Sequence, residues 1–184
     1  MSPTLRLPRR FFASRAGILV MAGVAAVLAG CAGDREPPSE PSFYRSLAGP
    51  NVELDAATAA SMISGYRRNN GLSPVEIDPR LMQLAHEQAR AMAEKNKLGH
   101  DVKADFKTRL AAGGFGGRLA VENVSAGYHT LAEAFSGWRD SPPHRANLLQ
   151  NGVSRMGIAA VYAPSSKYKV FWTLILAAPD ASRG

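Results

Sequence analysis

Apolar positions recur at helical spacing in three stretches and alternate in one. Leu131, Ala134, Phe135 and Trp138 predict a helix over residues 130–140 with one buried face. Ser141-Pro142-Pro143 stops it and starts another, with Ser141 as cap and Pro142 in the first turn. His144 then falls in an opening turn, and Asn147 stands one turn on along the same face. Upstream, Asp55 caps a helix striped by Ala59, Met62, Ile63 and Tyr66, which ends at Asn69-Asn70-Gly71. A short extended link over 73–77 follows. Asp78-Pro79 opens the longest helix, reaching about Asn96, with Leu81, Leu84, Ala85, Gln88, Ala89 and Met92 on its face. Asp105 to Ala111 reads as a short helix. It ends at the glycines of 113–117, which lack the Gly-Lys-Ser/Thr of a phosphate loop and predict a flexible turn.

Strand patterns are concentrated at the C-terminal end. Met156–Ala163 and Tyr168–Ala178 read as strands joined by a hairpin loop at Pro164–Lys167. The second alternates at first and then turns continuously apolar, as a central buried strand does. Val124–Tyr128 is a shorter extended run. Helices flanking these strands predict an α+β fold, a three-layer α-β-α sandwich with a small antiparallel sheet, over residues 55–180.

The first thirty residues have a different pattern. Arg6, Arg9, Arg10 and Arg15 precede the apolar run Ala16–Leu28, the signature of an export signal over 1–30 that is too short to span a bilayer comfortably. Arg9-Arg10-Phe11-Phe12 resembles a twin-arginine signal in poorly fitting flanks. Leu28-Ala29-Gly30-Cys31 resembles a bacterial lipobox, which implies a lipidated Cys31 as membrane anchor, and Ala32 after it resembles outer-membrane sorting. Residues 31–54 are rich in Pro and Gly and predict a tether. Phe43, Tyr44 and Leu47 within it either dock on the domain or stay exposed. Charge follows the same division. The whole chain carries +7, but four of its 22 basic residues precede Cys31 and all 15 acidic ones follow it, which leaves +3. No basic run stands out, so nucleic-acid binding is excluded. With one Cys in the chain there is no internal disulfide.

The polar residues that bear chemistry are few. His100 follows the helix-breaking Gly99, Glu122-Asn123-Val124 comes next, and Trp138 to Leu149 reads Trp-x-x-Ser-Pro-x-His-Arg-x-Asn-Leu-Leu. That order resembles the CAP superfamily, or SCP domain, most closely its bacterial branch, over roughly 56–178. The resemblance implies the same α-β-α sandwich and a cleft lined by two His and two Glu. His100, His144 and Glu122 match three of those positions. The second carboxylate position holds Ser141, and Asp140 is displaced by one residue, which turns a helical side chain by ~100°. Animal and plant members usually carry disulfides, a departure this chain shares with many bacterial ones.

Two imidazoles and one carboxylate suit a divalent metal such as zinc with open positions, so His100, Glu122 and His144 are candidate metal ligands. The alternative for the same trio is a structural role, and both stay open here. Asn123, Trp138 and Asn147 read as scaffold. Ser141 with His144 as a hydrolytic pair lacks an orienting carboxylate, and the serine has a capping role. His86 reads as a boundary residue of its helix. Superfamily members are implicated in binding sterols or other lipids, and some bacterial ones act at the cell wall. The expectation is an envelope-tethered, monomeric lipoprotein facing the periplasm, a module with a His/Glu cleft that either binds a lipid or cell-wall component or serves envelope maintenance. The alternative is a metal-dependent periplasmic hydrolase.

Overall fold

The structure, a computed structural model, describes residues 40–179. The export signal and Cys31 lie outside the described residues. A 3-10 turn at Ser42–Tyr44 leads to α1 (Ala56–Asn69). Asp55 caps α1 by accepting the Thr58 N–H at 2.9 Å. The Thr58 hydroxyl, that N–H and the Ser42 hydroxyl together hold its carboxyl down to about 2. The link becomes β1 (Glu76–Ile77), and α2 (Pro79–Lys95) begins on an Asp78 cap and ends at Asn96 in left-handed backbone. Then come α3 (Phe106–Ala112), β2 (Ala120–Ala126), α4 (Leu131–Asp140) and α5 (Pro142–Leu148). The hairpin strands β3 (Arg155–Tyr162) and β4 (Val170–Ala177) close the domain. A capping box between Thr130 and Glu133 fixes the start of α4.

The sheet runs β1-β3-β4-β2. Strand β4 has neighbours on both sides and all eight of its residues are buried, which is why its sequence is apolar on both faces. Its Val170, Trp172, Leu174 and Leu176 pack with Ile63, Trp138 and Leu148 of the α1/α4/α5 layer. On the opposite face Phe171 packs with Met92, while Ile175 and Ala177 pack with Leu81, Leu84, Ala85 and Ala89 of α2. The result is three layers. One pairing departs from an all-antiparallel sheet: β1 runs parallel to β3 over Glu76–Ile77. It stops there because Pro79 has no N–H to continue the ladder and α2 turns away. At Gly157 an added Cβ would lie 2.1 Å from the Leu81 backbone, so β3 and α2 meet with no room for a side chain.

Two segments are more ordered by packing than the sequence pattern suggests. Leu47, within the expected tether, is only 4% exposed, and Phe43 packs on the same core. Leu47 also donates its N–H to the His129 carbonyl at 2.7 Å. The packed domain therefore starts before residue 55. The glycine turn at 113–117 is pinned, not free: Phe115 is buried, with the Arg80 and Arg118 guanidiniums 4.8 and 4.9 Å from its ring centre.

Candidate functional site

Glu122 and Asn123 are consecutive residues of β2, an end strand of the sheet, so their side chains leave on opposite faces. Glu122 points into the α2/α3 layer and its side chain is 1% exposed. Arg109 of α3 donates from Nη2 to both carboxylate oxygens at 3.0 and 2.9 Å, and to the His100 carbonyl at 3.0 Å. His100 donates from Nδ1 to Glu122 Oε1 at 2.8 Å, which turns Nε2 away from the carboxylate. Gln88 of α2 fixes the loop from beneath, donating to the carbonyls of Gly99 at 2.7 Å and His100 at 3.1 Å. The His100 ring is 51% exposed over this buried ion pair.

Asn123 points the other way and is buried. It donates to the His144 carbonyl at 3.0 Å. Asn147 donates to the Glu122 carbonyl at 3.0 Å and to Asn123 Oδ1 at 2.9 Å, so α5 is tied to the strand by amides alone. Trp138 stands beneath, edge-on to Trp172 with ring centres 6.3 Å apart. Ser141 occupies the cap position of α5 through its backbone, but its side chain makes no capping bond. Pro142 and Pro143 remove the N–H groups of the first two helical positions, and the hydroxyl instead shares a 2.9 Å hydrogen bond with His144 Nδ1. Burial first, and then the neighbouring His100, push the His144 imidazole below its ordinary value.

Two arginines essential to this geometry escaped the sequence pattern. Arg109 falls on the buried side of α3 because Phe106, Arg109 and Leu110 share helical spacing. Arg67 extends the Ala59–Ile63 stripe of α1 by one more turn. It is fully buried and donates to the carbonyls of Ser73, Leu148, Gln150 and Val153, clamping the C-terminal end of α5.

The donor set does not fit a resident metal. Among the described residues no three His, Cys, Asp or Glu side chains converge as ligands. Arg109 brings a fixed positive charge against both oxygens of Glu122, where a cation would have to bind. Of the three residues expected to hold zinc, His100 and Glu122 bond each other and His144 bonds Ser141. Asp140 does not replace the missing second carboxylate; it turns to solvent and pairs with Arg139 at 2.8 Å.

The description of the cysteine-rich secretory protein family, CAP, matches residues 60–176, more than half of the chain. This protein is a member of that family. An extracellular SCP-domain protein of Bacillus anthracis superposes with a TM-score of 0.58 at 24% identity, over 67% of this chain and 40% of that one. An outer surface protein of Borrelia burgdorferi gives 0.62 at 20% identity, over 68% and 93%. In sequence, the uncharacterized protein YkwD of Bacillus subtilis is 28% identical over 106 residues, 56% of this chain and 41% of its own length. The uncharacterized membrane protein YlbC of the same organism is 30% identical over 94 residues, 50% and 27%. The CAP chain thus spans less than half of either curated relative. Among its described residues no helix is long and apolar enough to cross a membrane.

Proposed function

We propose that this CAP domain is a lipid-binding module of the cell envelope that takes an acyl chain in a trough between α1 and α4. The observation that supports this is the trough itself, about 500 Å³, lined by Phe43, Met62, Tyr66 and Phe135, with Arg139 at its rim. Thr58, Ser61 and Asn69 also line it, but the four large side chains offer a hydrocarbon chain continuous apolar contact, which suits it better than a glycan. Gly65 opens the floor. A Cβ there would meet nothing within 4 Å, although glycine inside a helix costs about 1 kcal/mol relative to alanine. The His100–Glu122–Arg109 and Ser141–His144 groups are then the frame that fixes α3 and α5 to β2. A metal-dependent hydrolase finds no support in that donor set.

The test is titration of a fluorescent fatty acid into the full chain. Gly65→Leu puts a side chain into the trough from a position where a Cβ meets nothing within 4 Å, so binding should be lost while the thermal midpoint stays equal or rises. Binding that persists in this variant refutes the trough as the site. Anchoring belongs to the same proposal: the basic head, the apolar run and Leu28–Cys31 support export and lipidation at Cys31. Cys31→Ala should leave the membrane fraction through a high-salt wash that wild type survives, and equal retention of the two would refute it.

A further inference from the structure

Strand β3 is covered on its outer side for only two residues, Arg155 and Met156, by β1. Backbone directions along that side follow from the bonds present. Met156 accepts the Asp78 N–H at 2.9 Å on the β1 side, and the Ile158 N–H reaches the Met82 sulfur at 3.3 Å on the same side. Ala163 instead donates inward, to Lys169 at 2.7 Å. Strand alternation then turns the N–H and C=O of Ala160 and Tyr162 outward, where no strand among the described residues pairs with them. Both residues are partly exposed.

This open edge is the floor of a groove. One recess of about 350 Å³ runs along Ile158–Ala160 between Val52–Leu54 on one side and Met82 and His86 on the other. A second, of about 570 Å³, continues along Val161–Ala163 beside His86 and Arg90. The two share His86. Neither touches the acyl trough or the His100–Glu122 group.

We propose that this groove binds an extended peptide segment of a partner protein, which adds to the sheet as a strand beside β3, in the column that β1 begins. Outward backbone donors and acceptors in alternation are matched in register only by another extended backbone. Beside Ile158–Ala160 the groove is flanked by Val52–Leu54 and by Met82 and His86, which leaves the width of one strand. The chain's own tether is a poor occupant, since Pro37, Pro38 and Pro41 lack the N–H that such pairing uses. Small floor residues, Ala159 and Ala160, leave room for β-branched side chains facing them. Arg90 is already paired with Glu94 at 2.7 Å, so affinity comes from main-chain bonds and a neutral segment suffices.

The experiment is amide hydrogen exchange on the full chain, read at Ala160 and Tyr162. The probe is a blocked hexapeptide, acetyl-Thr-Val-Ala-Val-Thr-Ala-amide, at millimolar concentration. Exchange at both amides should slow about tenfold at about ten times Kd, while the same peptide N-methylated on alternate nitrogens has no effect. Absence of protection by the unmodified peptide overturns the proposal. So does protection at both amides without peptide, whether it grows with protein concentration, which assigns the edge to a second copy, or is independent of it, which assigns the edge to this chain. Ala160→Pro removes one outward donor without touching the β4 ladder. It should weaken peptide protection at Tyr162, and unchanged protection there counts against strand addition.

Discussion

The two faces of β2 hold their neighbours by opposite means. On the Glu122 side a buried carboxylate, a buried guanidinium and an exposed imidazole bind α3 and the loop at His100 through charge. On the Asn123 side two amides bind α5 with no net charge at all. Burying an ion pair costs desolvation that only close, multiple contacts offset, so loss of either partner leaves an uncompensated charge. An amide network risks less. Its loss costs one desolvated group at a time. The histidines divide the same way: His100 rests on a carboxylate, His144 on a serine hydroxyl.

The largest expected break is Arg109→Met, which strands Glu122 and should cost about 3–5 kcal/mol in urea denaturation. Replacing both residues with Met should recover much of that loss. If the double variant is no better than the single one, the cost lies in packing around α3 and the charge account of this face is wrong. Asn147→Ala should cost less, about 1–3 kcal/mol, because it strands the Glu122 carbonyl and Asn123 Oδ1. An effect as large as that of Arg109→Met would erase the distinction between the faces.

The smallest effect is in pH. Burial, and next His100, lower His144 below its ordinary 6.5 in the folded chain. As pH falls, the unfolded chain takes up that proton first. The contribution is therefore absent above about 6.5, and stability is lost progressively as pH drops from 6.5 toward the folded value. His144→Gln should flatten that part of a stability–pH curve measured between neutral and mildly acidic conditions. A curve of unchanged slope would place the titration elsewhere.

Much of this architecture was legible from residue order. Caps at Asp55 and Asp78 and the two-sided apolar β4 announce the layers, because local chemistry decides them. The parallel β1 was not legible: two residues carry no periodicity, and their partners lie far along the chain. The candidate site was half legible. His100 meets Glu122 of β2 and Ser141 meets His144 at the start of α5, but Arg109, which pairs with Glu122, sits on a seven-residue helix where a cation reads as a solvated surface residue. Ser141 misled for a related reason: Pro143 removes one of the two donors that a cap accepts from, and the hydroxyl bonds the His144 ring instead. Leu47 was ambiguous because a lone apolar residue in a Pro-rich stretch has no local pattern, and only the core it meets gives it a place.

The most direct test of the account is the urea stability of Glu122→Gln. If this carboxylate is the counter-charge that fixes Arg109 and His100, the variant loses about 3 kcal/mol, with one oxygen still accepting from the guanidinium. Residues kept for chemistry or metal binding behave in the opposite sense, and their removal commonly leaves stability unchanged or higher. A Glu122→Gln protein as stable as wild type, or more so, would contradict the structural role assigned to this face of β2.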